Sequence, residues 1–110
     1  MQRGLSEASS ILHIRSVLGK TIRTTPSYFT RIQTVKHPEL RDTITEVLAT
    51  FGEAEEVWRA GSDIYLYYRR VQHQWLVAVA RHLNGDGFLI TAYRTSKKKR
   101  KGKNIWRKNM

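Results

Sequence analysis

Five side chains spread along this chain are of types that could cleave RNA without a metal ion: one imidazole, two guanidinium groups and two hydroxyls. They belong to His37, Arg69, Arg81, Thr91 and Tyr93. RNA carries its own nucleophile, the 2′-hydroxyl, so cleavage needs a base for that proton, positive charge at the phosphate and an acid for the leaving oxygen. Histidines as a class titrate near neutral pH, and arginines hold a phosphate through two parallel hydrogen bonds. These residue types favour acid–base cleavage of a phosphodiester.

Each of these residues also has a structural explanation. His37 precedes Pro38 and could cap a helix end, while Arg69 could pair with an acidic residue across a hairpin. Tyr93 lies in a strand-like segment, where a tyrosine most often packs. Arg81 lies within an apolar run, where a cation needs a partner or a groove, so a functional role is favoured at that position.

The composition excludes several other chemistries. The chain has no cysteine, which excludes disulfides, cysteine-bound zinc and a thiol nucleophile. The four histidines lack the spacing of a zinc site. No phosphate-binding glycine loop is present, because Gly85-Asp86-Gly87 fits a hairpin turn better. We therefore expect neither a metal nor a cofactor.

Positive charge is concentrated in one half of the chain. Residues 64–110 contain twelve Lys or Arg and one acidic residue, whereas residues 1–63 contain eight of each. This asymmetry, with a formal net charge of +11, predicts a polyanionic partner, most simply a nucleic acid. Eight of the cations fall between Lys97 and Lys108. This segment could be a solvated extension or a tail that binds phosphates. The residues expected to bind RNA are Tyr67, Arg70, Arg94, Lys97, Lys98, Lys99, Arg100, Lys101 and Trp106.

The first half of the sequence predicts helices and one short β-like run, Lys20 to Thr24. Residues 10–18 could form a short one, because Ile11, Ile14 and Leu18 recur at helical spacing. Thr25-Pro26 is a strong helix start, and the helix that follows should end before Pro38. A second amphipathic helix is predicted over residues 40–51.

The second half predicts four strands, at residues 55–59, 64–71, 74–83 and 88–95, joined by short turns into an antiparallel meander. The expected fold is α+β, with N-terminal helices packed on one face of a four-stranded antiparallel sheet. Alternation assigns two sets of side chains to the two faces of the sheet. The set expected beneath the helices is Ile64, Leu66, Tyr68, Phe88, Ile90 and Ala92. The set expected on the open, hydrated face is Tyr65, Tyr67, Arg69, Leu89, Thr91, Tyr93 and Thr95.

One domain is expected over residues 19–96. An extension or short helix at 1–18 would precede it, and a basic tail at 97–110 would follow. No apolar stretch approaches the ~20 residues of a membrane span, and no secretory signal is evident, so the expected location is the cytoplasm.

A series of motifs runs along residues 19–98: KTIRTT, Lys36-His37-Pro38-Glu39, YLYYRR, Ala80-Arg81 and LNGDGFLITAYRTS. Together they resemble the phage-associated branch of the Barnase–EndoU–colicin–RelE-like nucleases. The resemblance implies a small metal-independent RNase, often a toxin with an antitoxin partner. It also implies a RelE- or colicin-like four-stranded sheet with the active site on its open face.

The same resemblance implies a role for each candidate. It makes His37 the acid–base residue, Arg81 the basic residue near the end of the central strand, and Thr91 and Tyr93 a hydroxyl pair. Arg69 would contact the phosphate. The family position that matches Arg81 is often lysine, and arginine cannot act as a base, which leaves proton transfer to His37.

The leading hypothesis is a toxin-like endoribonuclease that leaves a 2′,3′-cyclic phosphate on RNA. The alternative is a domain of the same fold that binds nucleic acid without cleaving it. A third hypothesis is a protein-interaction domain whose basic tail docks on an acidic partner such as an antitoxin.

Overall fold

The computed structural model describes residues 11–98 and 102–109, which form a mixed α+β fold on one seven-stranded sheet. The strands in chain order are β1 Leu12–Arg15, β2 Thr21–Thr24, β3 Glu56–Arg59, β4 Ile64–Val71, β5 Gln74–Leu83, β6 Asp86–Thr95 and β7 Lys103–Arg107. Their spatial order is β1-β2-β6-β5-β4-β3-β7. The predicted antiparallel meander, β3 to β6, is confirmed. The pair β2–β6 is parallel.

Two short α-helices lie between β2 and β3: α1 Pro26–Arg31 and α2 Ile44–Gly52. The predicted start of α1 is confirmed, since the hydroxyl of Thr25 accepts the backbone N–H of Tyr28 and proline occupies the first turn. The helix then widens into a π-helical turn, Ile32–Lys36.

Helix α2 begins later than predicted because of its cap. Thr43 and Glu46 form a capping box, in which each side chain accepts the other residue's backbone N–H. Leu40 is buried, but it lies in the turn before the helix. The apolar spacing that suggested a helix from residue 40 therefore extends across this turn.

The predicted four-stranded sheet with N-terminal helices packed on it is wrong. The described residues form seven strands, and both α-helices follow two strands instead of preceding the sheet. Residues 12–15 form a strand, in which half-buried Leu12 and Ile14 alternate with exposed His13 and Arg15. A four-residue strand is too short for its period of two to outweigh the helical spacing of the surrounding apolar residues.

The last strand lies inside the stretch predicted to be a basic tail. β7 pairs antiparallel with β3, and Trp106 packs against the core. Gly102 leads into β7 with φ +87°, where a Cβ atom would lie 1.9 Å from the carbonyl oxygen of Arg59. Only glycine fits there, so this residue is what lets the chain enter the sheet beside β3.

The main core lies between the sheet and the helices, on the side that we call the helix face. Its members come from α1, α2 and five strands, and include Ile22, Phe29, Ile32, Val47, Leu48, Phe51, Val57, Tyr67, Leu76, Ala78 and Leu89. The other side of the sheet, the far face, carries a second buried cluster of Leu66, Tyr68, Val77 and Val79. Trp58, Trp75, Ile90 and Tyr93 pack around that cluster. The far face is therefore not the hydrated surface that alternation predicted.

The two faces of β4 are exchanged relative to the prediction. Tyr65, Tyr67 and Arg69 lie on the helix face, and Ile64, Leu66 and Tyr68 lie on the far face. Both sets contain large, partly apolar side chains, so the amino-acid types alone did not show which set lies under the helices. Burial of Tyr67 is possible because its hydroxyl bonds to Ser16 Oγ at 3.0 Å and His82 Nε2 at 2.9 Å.

Within the described residues, no helix has both the length and the apolar character that crossing a lipid bilayer requires.

His82 should make the fold sensitive to acid. Burial and the charge of Lys20 lower the pKa of this imidazole from 6.5 to about 4, so the folded state keeps it neutral. Between these pH values the unfolded chain binds a proton that the folded chain does not, and stability falls as pH falls. We expect a loss of about 2 kcal/mol after allowance for solvent screening.

The measurement is urea unfolding of the wild type and His82→Gln at pH 7 and pH 4.5. Glutamine can keep the bond to Tyr67 but cannot titrate, so this variant should lose less stability between the two pH values. Carboxylates titrate in both proteins and cancel in the difference. Equal losses in the two proteins would contradict the assignment.

Candidate active site

A β-bulge in β6 places a helix end beside the sheet. Between Val79 and Ala80 of β5 the register shifts, so that Thr91 faces Val79 and Leu89 faces Ala80. Ile90 is the extra residue, left between two pairs. Its carbonyl oxygen accepts the hydroxyl of Tyr28 at 2.7 Å and the ammonium of Lys36 at 3.0 Å.

The same bulge explains why the predicted faces of β6 are only partly right. Beyond the bulge, Thr91 and Tyr93 lie on the far face and Ala92 lies on the helix face. Alternation correctly predicted that Ala92 lies opposite the other two side chains. Before the bulge the alternation is reversed, so Leu89 is in the helix-face core, whereas Ile90 packs on the far-face cluster.

His37 and Tyr93, two of the predicted site residues, are brought together. The π-helical turn ends at His37, whose backbone N–H donates to the carbonyl of Ile32. The imidazole lies against the ring of Tyr93, with centroids 5.3 Å apart and planes tilted by 32°. Nδ1 lies 3.1 Å from Glu39 Oε2, and the side chain is about one-third exposed. The described residues make no hydrogen bond to Nε2.

Glu39 suits the role of orienting His37. A backbone hydrogen bond and the bond from His37 lower the pKa of this carboxyl group. An ionised carboxylate at Nδ1 holds the proton on that nitrogen and fixes the orientation of the ring. The arrangement leaves Nε2 for proton exchange with a substrate.

Tyr93 remains protonated and has a proton to donate. Burial raises the pKa of Tyr93, although a hydrogen bond from Tyr68 opposes this. Burial and the neighbouring Tyr93 raise the pKa of Tyr68 to about 12. The two hydroxyls are hydrogen-bonded to each other, and both are protonated near neutral pH.

Thr91 lies on the same face as Tyr93, two residues away. Its hydroxyl oxygen is buried and finds no hydrogen-bond partner among the described residues. Thr91 therefore lies beside Tyr93 on the sheet, and its role in the site stays a prediction.

The predicted arginines lie elsewhere. Arg69 is on the helix face, where it donates to Thr50 Oγ1 at 3.1 Å and to the carbonyl of Glu46 at 2.9 Å. Arg81 is on the far face and pairs with Asp63 at 2.7 Å. It lies four residues along β5 from the strand partner of Tyr93, about 13 Å away at ~3.3 Å per residue. The two guanidinium groups therefore do not converge with His37.

Most of the predicted RNA-binding side chains are engaged within the protein. Tyr67 is buried, Trp106 packs in the helix-face core, and Lys98 bonds to Glu56. Arg70 and Lys98 both lie over the ring of Trp75, at 5.0 and 4.8 Å from its centroid. Lys97 is exposed. Lys99, Arg100 and Lys101 lie outside the described residues.

Sequence reasoning missed Lys36. The sequence interpretation treated this residue only as the end of a helix, but its ammonium bonds to Tyr28 Oη at 2.9 Å and to Ile90 beside the site. Its position directly before His37 was the available signal. Lys36 and His37 lie together at the end of the π-helical turn, so both side chains can contact a molecule that binds beside that end.

No three His, Asp or Glu side chains within residues 11–98 and 102–109 are grouped so that they could hold a metal ion.

A buried ion pair fixes the loop that carries His37 and Glu39. Arg94, predicted to bind RNA, instead donates from Nε and Nη2 to the two oxygens of Asp42 at 2.9 and 2.8 Å. This bond raises the pKa of Arg94. Gln33 also donates to the backbone carbonyl of Asp42 at 3.0 Å. The loop of residues 37–43 is thus held to β6 and to the π-helical turn.

We expect Arg94→Gln to destabilise the protein by about 3 kcal/mol, because it leaves the buried Asp42 carboxylate without its cation. Arg94→Lys should cost less, since it keeps the charge but loses the paired geometry. The double variant with Asp42→Asn should lose less than the sum of the single variants. Urea unfolding measures all of these. An Arg94→Gln protein as stable as the wild type would contradict the assigned role.

Searches with this chain found no matching protein-family model, no matching curated protein and no matching solved structure. The resemblance to the Barnase–EndoU–colicin–RelE-like nucleases therefore stays a prediction from the sequence motifs.

Proposed function

We propose that this protein is a metal-independent endoribonuclease whose centre is His37. The observation that supports it is one arrangement: an imidazole with a carboxylate on Nδ1, no partner for Nε2 among the described residues, and a tyrosine ring against the imidazole. A histidine that only capped a helix would not need Glu39 or a tyrosine partner. The positive half of the chain supplies the attraction for a polyanion.

In the proposed reaction, His37 takes the proton of a ribose 2′-hydroxyl. The 2′-oxygen forms a bond to the adjacent phosphorus, and the bond from phosphorus to the 5′-oxygen breaks. The proton on His37 passes to that leaving oxygen. The products are a 2′,3′-cyclic phosphate and a 5′-hydroxyl, so no external acid or water is consumed in this step.

Lys36 and Tyr93 serve the phosphate in this proposal. Charge on the non-bridging oxygens rises as the phosphorus becomes five-coordinate, and donors aimed at that charge lower the barrier. Lys36 offers an ammonium on the residue next to His37, and Tyr93 offers a protonated hydroxyl on a ring that contacts the imidazole. Arg69 and Arg81 are not assigned to the reacting phosphate, because each is engaged away from His37.

The proposal extends to the setting. RNA would be the substrate, the cytoplasm the place of action, and an acidic antitoxin-like protein the partner that restrains the enzyme. Charge supports such a partner, because the excess of cations in residues 64–110 attracts an acidic protein as well as RNA.

The direct test is incubation of the purified chain with labelled RNA in EDTA. We expect cleavage that His37→Ala lowers by at least about 100-fold, because acid–base catalysis contributes roughly that much or more. His73→Ala is the matched control, since His73 is an exposed histidine in the turn between β4 and β5. It should cleave like the wild type.

Two further observations decide the chemistry. A substrate with a single 2′-deoxy ribose should resist cleavage at that position, because the nucleophile is missing. The 5′ product should end in a cyclic phosphate. Equal cleavage by His37→Ala and wild type, or no cleavage of any RNA by either, would end the catalytic proposal.

Binding without cleavage is the second candidate, and the charge asymmetry favours it equally. Removing residues 97–110 would not test it cleanly, because that deletion also removes β7. We expect Lys97→Gln to reduce the slope of log affinity against log salt by about one, as for one lost phosphate contact. Fluorescence anisotropy of labelled RNA over a salt series measures this. An unchanged slope would exclude Lys97 from phosphate contact.

A further inference from the structure

A cleft of about 400 Å³ opens where β2 separates from β6, and Tyr28, which bonds to Lys36, is among the residues that line it. The two strands pair only over Thr21–Arg23, after which the chain turns at Thr25 into α1. β6 continues without β2 beside it, and the gap between them is the cleft. The side chains that line it include Ile11, Arg23, Thr24, Tyr28, Phe88 and Leu89.

The lining combines exposed apolar surface with one unsatisfied polar group. The ring of Phe88 is 43% exposed, and Ile11 is 61% exposed. Thr24 is 7% exposed, and its hydroxyl oxygen has no hydrogen-bond partner among the described residues. Buried hydroxyls normally have partners, so a ligand's polar atom that reached this oxygen from the cleft would supply the missing hydrogen bond.

These features match a flat ring with a polar edge. Proteins bind the bases of single-stranded RNA by stacking them on aromatic side chains and by bonding to their edges. An aliphatic peptide side chain would use the apolar walls but would leave the Thr24 hydroxyl unpaired. Phe88 supplies the aromatic surface, and Thr24 supplies the group for the edge.

Charge at the mouth of the cleft favours a nucleotide over a neutral ring. Arg23 lines the cleft and pairs with Asp86 at 2.8 Å, but both side chains are about half exposed. Exposed ion pairs are weak, so Arg23 can exchange this carboxylate for a phosphate at little cost.

Tyr28 connects the cleft with the catalytic group. Its ring lines the cleft, while its hydroxyl accepts from Lys36 and donates to the Ile90 carbonyl. Lys36 is the residue before His37. A nucleotide whose base filled the cleft would therefore contact the tyrosine to which Lys36 bonds.

We propose that this cleft binds one base of single-stranded RNA, that of a nucleotide flanking the cleaved phosphate. This inference rests on the proposed function for its link to cleavage. The cleft then selects which RNA sequences are cut, with Phe88 stacking on the base and Thr24 reading its edge.

The experiment uses the full chain and short RNAs with 2′-O-methyl riboses, which cannot be cleaved. Affinity is measured by fluorescence anisotropy for wild type, Phe88→Ala and Thr24→Val. Ile105→Ala is the matched control, since Ile105 is an exposed apolar residue on β7 at the far edge of the sheet. Thermal unfolding confirms that each variant is folded.

We expect Phe88→Ala to weaken binding about 10-fold, as for one lost base–aromatic stack. Thr24→Val should keep a similar average affinity but reduce the spread among four oligonucleotides that differ in one base. Ile105→Ala should bind like the wild type.

Failure of this inference is distinguishable from failure of the proposed function. If RNA is cleaved but Phe88→Ala changes neither affinity nor base preference, the cleft is not a base site, and the inference falls while the nuclease stands. If no RNA is cleaved but Phe88→Ala still weakens binding, the base site stands without the nuclease. Binding of an apolar peptide, together with unchanged RNA affinity in Phe88→Ala, would also overturn the inference.

Discussion

The bulge at Ile90 is the constraint on which the described site depends. One extra residue in β6 leaves a carbonyl oxygen outside the ladder, and an unpaired buried carbonyl costs about 1–3 kcal/mol. Tyr28 and Lys36 satisfy it, which fixes α1 and the π-helical turn beside β6. The end of that turn then holds His37 against Tyr93. A continuous β6 would offer no such acceptor, so α1 and the π-helical turn would lose this attachment to the strand.

Several of the cations that predict a polyanionic partner also form bonds within the protein. Arg94 holds Asp42, Lys98 holds Glu56, and Arg69 bonds to a helix carbonyl. Burial raises the pKa of Glu56, but the bonds from Lys98 and Trp58 outweigh it, so its pKa is lowered. The chain has 20 Lys and Arg against nine Asp and Glu, so these pairs still leave a large positive excess for a partner. For the proposed chemistry, the cations near His37 matter more than the net charge of the whole chain.

Tyr28 contacts two surfaces of the molecule, one apolar and one charged. On one side it lines an apolar cleft with an unsatisfied threonine hydroxyl, and on the other it bonds to a lysine next to the imidazole. The proposed recognition of a base and the proposed reaction at a phosphate would use these two surfaces, which Tyr28 connects. The parting of β2 from β6 creates the first surface, and the bulge in β6 organises the second.

The sequence alone determined the parts that depend on local patterns. The bounds of β4 and β5, the start of α1 at Thr25 and the antiparallel meander were all predicted, because turn residues, caps and branched side chains act over a few positions. The chain order of His37 and Tyr93 was visible too, but their contact was not. Tertiary structure alone decided which face of β4 is covered, where β6 gains a residue, and that β1, β2 and β7 join the sheet. Alternation fixes which residues share a face but not which face is buried. That choice depends on partners distant in sequence, such as Ser16 and His82 for Tyr67 and Asp42 for Arg94.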